Sequence, residues 1–158
     1  MISSIKSFTT SFVRLLLVSI LVVLIPVEVQ AAELKVELKL IWGTNGKSSP
    51  NPKHKPVDEA TAAKLRKVFT WTNYFEINRM TGTVPSRGTN NFHMSKDCTI
   101  EVKELAGPNV EVRLIGEGKP VIKATHHLSK GQTITLASEC RDKDGNAWFV
   151  LITELDEK

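Results

Sequence analysis

Several residue types and motifs are scarce in this 158-residue chain. It contains two cysteines and four histidines, and 6% of its residues are aromatic. The cysteines are 42 positions apart, which excludes the paired C-x-x-C spacing of a structural zinc site. No G-x-S-x-G segment is present, so the chain lacks the nucleophile elbow of α/β-hydrolases. Its 24% of charged and 41% of hydrophobic residues are typical of a single globular domain.

A long hydrophobic run is also missing. The longest one, residues 15–25, covers eleven positions, whereas a membrane-spanning helix requires roughly 20 apolar residues. Basic residues precede the run, a proline ends it, and Ala31 is a small residue suited to the cleavage position. The pattern predicts a signal peptide over residues 1–31 and a single exported domain over residues 32–158, with no stable membrane span after cleavage. An uncleaved membrane anchor is the alternative.

Export changes how the charges and the cysteines are interpreted. Without residues 1–31 the chain keeps 19 basic and 16 acidic residues, and this net charge of +3 does not require an anionic partner. A periplasmic or extracellular location also argues against a nucleic-acid partner.

In an oxidising compartment, two cysteines predict a disulfide between Cys98 and Cys140. Two buried free thiols are the alternative.

The apolar pattern predicts mainly β-strands. Apolar and charged residues alternate strictly from Leu34 to Leu40, as in a strand with one buried face. The last predicted strand is apolar on both faces, which places it centrally, beside the first strand. Five segments in the second half of the chain have short connections and predict an antiparallel meander, namely residues 99–105, 110–115, 121–127, 132–138 and 147–155.

One helix interrupts the strands. Asp58 is a suitable N-cap, and Leu65, Val68 and Phe69 share one stripe at helical spacing, so we expect a helix that ends near Phe69 and covers a sheet. The expected fold class is α+β: a mostly antiparallel, curved sheet, a meander of about six to seven strands, with one packed helix. The predicted disulfide requires this curvature, because flat strands would separate the cysteines by roughly 14 Å, twice the distance that a disulfide spans.

Motifs that resemble ligand sites fail on their spacing. The segment 43–48 has too few residues between its glycines for a phosphate-binding loop. The segment 142–146 opens like a calcium loop, but Asp-Gly between apolar strands favours a hairpin turn. His126 and His127 are neighbours in a predicted strand and point to opposite faces, so they cannot share a metal. We therefore predict no catalytic residue, no metal and no cofactor.

One group of aromatic residues is concentrated in the chain. Phe69, Trp71, Tyr74 and Phe75 lie within seven positions. The first interpretation is that they fill the core between the helix and the sheet, because aromatic side chains bury large apolar areas. The alternative is a contact surface near residues 69–75, in which Trp71 or Tyr74 touches a partner.

These observations predict a small exported, non-catalytic interaction or structural module of the cell envelope or the extracellular space. Its partner is an unknown protein or glycan. The alternative is a secreted hydrolase inhibitor or a glycan- or ligand-binding protein that uses the aromatic patch near residues 69–75. A hydrolase with a carboxylate pair in a cleft is a third, less favoured hypothesis, since the sequence alone does not locate such a pair.

Overall fold

The structure is a computed structural model that describes residues 33–137 and 141–156. The predicted signal peptide, residues 1–31, and one of the two cysteines, Cys140, lie outside the described residues. Within the described ranges no helix is long and apolar enough to cross a membrane.

The described residues form nine strands and one helix. Strand lengths range from two residues in β2 to twelve in β3. In chain order the elements are β1 (Leu34–Thr44), β2 (Lys55–Pro56), α1 (Glu59–Arg66), β3 (Asn73–Val84), β4 (Thr89–Ser95), β5 (Cys98–Ala106), β6 (Asn109–Gly116), β7 (Lys119–His127), β8 (Thr133–Ala137) and β9 (Ala147–Glu154).

The strands form two antiparallel sheets. Sheet I has the order β2-β3-β1-β9-β8, and sheet II has the order β4-β5-β6-β7. The predicted class is confirmed: an α+β fold dominated by antiparallel sheet, with one short helix. The central position of β9 is confirmed as well, because it pairs with β1 on one side and with β8 on the other.

The predicted meander is interrupted after β7. The strands β5, β6 and β7 pair in sequence, but β8 joins β9 in sheet I. Leu128, which is buried, follows β7, and its backbone N–H donates to the Pro108 carbonyl. Gly131 then turns the chain with a φ of 71°, a conformation that glycine adopts without strain. Two sheets form instead of one because each has an apolar face, and each covers the face of the other.

The layer between the two sheets is the larger of two hydrophobic cores. It receives alternate side chains from β1, β5, β6, β8 and β9, as the period of two predicts. Its sixteen buried residues are Val36, Leu38, Leu40, Val84, Phe92, Met94, Ile100, Val102, Val110, Val112, Leu114, Leu128, Ile134, Leu136, Val150 and Ile152.

Helix α1 covers the outer face of sheet I. Asp58 caps it, since its carboxylate accepts a hydrogen bond from the Thr61 backbone N–H at 2.9 Å. The helix buries Ala62 and Leu65 and ends at Arg66, earlier than expected. The chain leaves the helical path there, and Phe69 then stacks on an aromatic ring of β9 instead of continuing the helical stripe.

Candidate functional site

The aromatic segment at residues 69–75 lies mostly inside the protein. The side chains of Trp71 and Tyr74 are 5% and 3% exposed. Both rings pack on Phe149, with centroids 6.2 Å away for Trp71 and 6.0 Å away for Tyr74. Together with α1 they form the smaller hydrophobic core, on the outer face of sheet I. This burial favours the core interpretation over the contact interpretation, because neither side chain is placed where a partner could reach it.

The described part of the β8–β9 connection, residues 141–146, closes over Trp71. The indole donates from Nε1 to the Gly145 carbonyl at 2.9 Å, and the Arg141 guanidinium lies 5.2 Å from the ring centroid. Gly43 lies on the same side of β1, and a Cβ atom there would be only 2.7 Å from the indole ring. Trp71 is thus held from several directions.

The segment 142–146 forms a closed turn. The Asp142 carboxylate accepts hydrogen bonds from the backbone N–H groups of Asp144 and Asn146 and from the Asn146 side-chain amide, each at 2.9 Å. These bonds, led by the one from the amide, lower the pKa of Asp142. Because the turn engages both carboxylate oxygens, its geometry agrees with a hairpin turn rather than a calcium loop.

A cleft of about 550 Å³ opens between the two sheets, at the end where the β4–β5 and β6–β7 turns lie. Ligand pockets are typically about 300–1,000 Å³. We call it the Trp148 cleft. Both sheets and the β1–β2 connection line it, through Leu40, His54, Ile77, Ser95, Asp97, Cys98, Leu114, Gly116, Glu117, Val121, Trp148, Phe149 and Val150.

The apolar wall of the Trp148 cleft is partly open to solvent. Trp148 is 46% exposed and Val121 is 41% exposed. Among the described residues, two further large hydrophobic side chains are exposed, Val68 and Leu105, and neither lines this cleft. The cleft therefore brings together exposed apolar side chains from β7 and β9, which belong to different sheets and are 27 positions apart in the sequence.

Polar groups surround the mouth of the Trp148 cleft. Asp97 and Glu117 are on neighbouring turns, joined by a hydrogen bond from the Glu117 backbone N–H to the Asp97 carbonyl at 2.9 Å. Glu117 has a φ of 49°, an uncommon conformation for a residue other than glycine. The Ser49 hydroxyl bonds the Nδ1 atom of His54 at 2.7 Å and so orients the imidazole. Burial raises the pKa of the Cys98 thiol.

One buried donor, opposite Trp148 in sheet I, has no partner. Trp42 is 8% exposed, and among the described residues its Nε1 atom is the buried side-chain nitrogen or oxygen without a hydrogen bond. The residue lies opposite Trp148 in the β1–β9 ladder and two positions beyond Leu40, so it shares their side of sheet I. Its ring packs on Phe75 at 5.9 Å. A buried donor left unpaired costs roughly 1–3 kcal/mol, so it calls for an explanation.

A second cavity, of about 510 Å³, lies at the opposite end of the sandwich. Glu104 and Glu154 are among its lining residues. Glu104 is buried and accepts a hydrogen bond from the Arg87 backbone N–H, which holds the β3–β4 turn against β5. Burial raises the pKa of Glu154, while Lys130 opposes that rise. The Glu104 contact therefore serves the fold.

Charged residues and histidines elsewhere in the described ranges are held in local contacts. On the outer face of sheet II, Arg113 pairs with Glu101 at 3.2 Å and with Glu111 at 3.8 Å. The Ser129 hydroxyl bonds His127 at 2.9 Å, but no carboxylate of the described ranges lies within ion-pair distance of a histidine. The part of the chain that the structure describes contains no group of three or more potential metal-ligating side chains.

The disulfide prediction concerns a pair of which the structure describes one member. Cys98 begins β5, is half-buried and lines the Trp148 cleft. Cys140 lies outside the described residues, so the Cys98–Cys140 bond stays a prediction. The two-layer arrangement supplies the curvature that this bond would need.

The sequence alone did not single out Trp148 and Val121. Trp148 lies in a strand whose two faces are both apolar, so that strand was expected to be covered on both sides. The position of Trp148 in its strand was the one indication. Trp148 is the second residue of β9, directly after the 142–146 turn, and a covering layer ends first near the end of a strand. Val121 lies similarly close to the β6–β7 turn.

Comparison with known proteins found no matching protein family, no similar curated protein and no similar solved structure. The fold and the site by themselves define the class of protein: a small two-sheet domain, with one covering helix and an open cleft between its sheets. Its function has to be argued from the residues of that cleft.

Proposed function

We propose that this chain is a small exported, non-catalytic binding module whose ligand or partner enters the Trp148 cleft. The observation that carries this proposal is the position of Trp148 and Val121. Two of the four exposed large hydrophobic side chains of the described residues line one cleft of ligand-site size.

The energetic argument concerns the apolar surface that remains in water. Burying apolar surface contributes about 25 cal/mol per Å², and a tryptophan side chain offers about 200 Å². Covering the exposed part of Trp148 would therefore contribute about 2 kcal/mol to binding. Large tryptophan contributions in a partly enclosed setting are typical of binding hot spots.

Two further parts of the proposal have separate support. Export is supported by the charge, apolar run and small residues of positions 1–31. A non-catalytic role is supported by the side chains at the cleft, where His54 is oriented by a serine hydroxyl without a carboxylate in the role of the third triad member. In this proposal the partner contacts Trp148, whereas the alternative drawn from the sequence had placed the contact at the aromatic residues 69–75.

The test compares three forms of the full chain, each expressed with its own N-terminal segment and purified as the cell processes it. The forms are the wild type, Trp148→Ala and Val68→Ala, which removes an exposed apolar side chain away from the cleft. We expect the wild type and Val68→Ala to bind the same partner molecule from the exported fraction. This binding should saturate, and unlabelled protein should compete with it. Trp148→Ala should lose it. Equal retention by all three forms would contradict the proposed site.

The same preparation tests the other parts of the proposal. Processing before Ala32 predicts an intact mass that corresponds to residues 32–158, and an unprocessed mass would contradict the signal peptide. If the retained species is a hydrolase, one-to-one titration of its activity would identify the chain as an inhibitor.

A further inference from the structure

We infer that the Trp148 cleft receives an arginine side chain of a separate partner protein, whose guanidinium stacks on the Trp148 indole and bonds the Asp97 and Glu117 carboxylates. This inference rests on the proposed function and specifies the occupant of the same cleft. Two features of the cleft support it: a half-exposed aromatic side chain, and a mouth whose charged lining residues are both acidic.

The charge at the mouth of the cleft is opposite to that of the chain. Residues 32–158 carry 19 basic and 16 acidic side chains. Among the described residues that line the cleft, however, the charged ones are Asp97 and Glu117, and none is a lysine or an arginine. Two carboxylates attract a cation and repel an anion. The cleft therefore favours a cationic occupant over an anionic one, and over a neutral one of the same shape.

The two carboxylates are available to an incoming cation. In the described ranges no basic side chain lies within ion-pair distance of Glu117. Asp97 has the Lys96 ammonium at 3.5 Å, but both side chains of this pair are exposed, and an exposed pair contributes little. The hydrogen bond from the Glu117 backbone N–H to the Asp97 carbonyl holds the two turns together. The mouth thus carries negative charge that the fold leaves largely uncompensated.

An aromatic ring that shares a cleft with two carboxylates suits a guanidinium better than an ammonium. A guanidinium is planar and weakly hydrated, so it stacks on an indole such as that of Trp148. Its five N–H donors can bond two carboxylates at once, whereas an ammonium is a compact, strongly hydrated charge. The methylene groups of an arginine side chain can also cover Val121, which is 41% exposed in the same cleft.

The strength of these contacts indicates that the arginine belongs to a protein. One cation–π contact and two partly exposed ion pairs together correspond to a Kd in the millimolar range. A free cationic molecule would therefore leave the cleft mostly empty unless it were equally concentrated. An arginine on a partner protein adds the contacts of the surface around it, and arginine is one of the residues that dominate binding at protein interfaces.

The experiment compares two small probes of similar shape and different charge. N-acetyl-arginine amide carries the guanidinium, and N-acetyl-citrulline amide has a neutral urea group in its place. Proton–nitrogen correlation spectra of the processed protein are recorded while each probe is raised to about 50 mM at constant ionic strength. The pH is about 7.5, where an ordinary imidazole is mostly neutral. Tryptophan-to-phenylalanine variants assign the indole signals.

We expect the two probes to differ at one tryptophan. The arginine probe should shift the indole N–H signal of Trp148 with a Kd in the millimolar range, and the citrulline probe should bind at least about fivefold more weakly. The Trp71 signal should stay in place, because Trp71 bonds Gly145 on the other side of sheet I. This comparison uses the wild type, so it does not depend on how any variant folds.

Variants separate the charges of the mouth from the aromatic ring. Asp97→Asn with Glu117→Gln removes both charges and should weaken arginine binding about fivefold or more. Glu101→Gln with Glu111→Gln is the matched control, because it removes two charges from the outer face of sheet II, and it should change the affinity less than about twofold. Trp148→Leu keeps an apolar side chain and should weaken binding about threefold.

The same probes test whether the arginine belongs to a partner protein. At about 50 mM, the arginine probe should displace the protein that the wild type captures from the exported fraction, and the citrulline probe should leave it bound. An arginine probe that shifts Trp148 but displaces no captured protein would mean that the cleft takes a free cation, and the protein-borne arginine would be wrong.

Three further results would overturn the inference. They are no shift of the Trp148 signal with the arginine probe, equal shifts from both probes, which would indicate a neutral occupant, and a Trp148 signal that moves when the protein alone is diluted, which would indicate a second copy of this chain. If capture still depends on Trp148 in any of these cases, the proposed function stands and the assigned occupant is wrong. If capture does not depend on Trp148, the proposed function fails as well.

Discussion

Replacing Trp71 with alanine tests whether the aromatic segment is core or contact surface. The ring is 95% buried, packs on Phe149 and Phe69, and donates one hydrogen bond to Gly145. If it is core, Trp71→Ala should destabilise the fold strongly. If it is a contact surface, the same change should leave the fold intact and weaken binding.

The magnitude follows from what the Trp71 side chain contributes. Burial of about 200 Å² at 25 cal/mol per Å² corresponds to about 5 kcal/mol. The hydrogen bond to Gly145 contributes about 1 kcal/mol, and the Arg141 guanidinium over the ring adds about 0.5–1 kcal/mol. Local collapse into the space left behind reduces the net effect. We therefore expect a loss of about 3–5 kcal/mol in the free energy of unfolding, as for other buried tryptophans.

The measurement is urea unfolding followed by far-ultraviolet circular dichroism, because removing a tryptophan alters the fluorescence itself. Trp71→Phe keeps a ring and loses the hydrogen bond, so it should cost about 1–2 kcal/mol. Trp148→Ala is the control on the partly exposed ring, and the loss of its buried half should cost about 2–3 kcal/mol. A Trp71→Ala protein as stable as the Trp148→Ala protein would refute the core assignment.

Three further predictions concern separate parts of the fold. Gly43→Ala places a methyl group against a buried indole and should cost about 1–3 kcal/mol, measured by thermal unfolding; unchanged stability would contradict the close approach. The lowered pKa of Asp142 means that its contribution to stability is present above its ordinary value of 3.8 and lost as the pH falls through the folded value. Asn146→Ala should therefore flatten the decrease in melting temperature at acidic pH, and an unchanged acid profile would contradict that contribution. For the Cys98–Cys140 disulfide, alkylation with and without prior reduction should give proteins of different mass, and equal masses would show that the bond is absent.

Much of the fold could be predicted from local pattern. The alternation from Leu34 to Leu40 correctly identified a strand with one buried face, and the doubly apolar segment 147–155 correctly indicated a central strand. Asp58 was correctly predicted as the helix cap. These features could be inferred because they depend on residues within a few positions of one another. The helix end was less predictable, because Phe69 fits a helical stripe and an aromatic stack equally well.

The candidate site was not predictable in the same way. Trp71 lies just before β3 and Trp148 is the second residue of β9, and nothing local distinguishes the buried ring from the exposed one. Trp71 is buried because residues of α1 and the 142–146 turn both pack against it. Trp148 is exposed because sheet II leaves it partly uncovered. The alternative of a contact surface at residues 69–75 was based on the density of aromatic residues. That density indicates how much surface can be buried, and it does not show which surface remains open.

The sequence by itself determined the strand periods, the helix cap, the hairpin turns and the α+β class, because each depends on hydrogen bonding and side-chain direction within a short segment. Only the tertiary structure decided that the chain would cross from one sheet to the other after β7. It also decided that Trp42 would be buried without a partner beside a half-exposed Trp148. The physical reason is that burial is a property of a face and the layer that covers it, and in this protein the covering layer comes from residues far away in the chain.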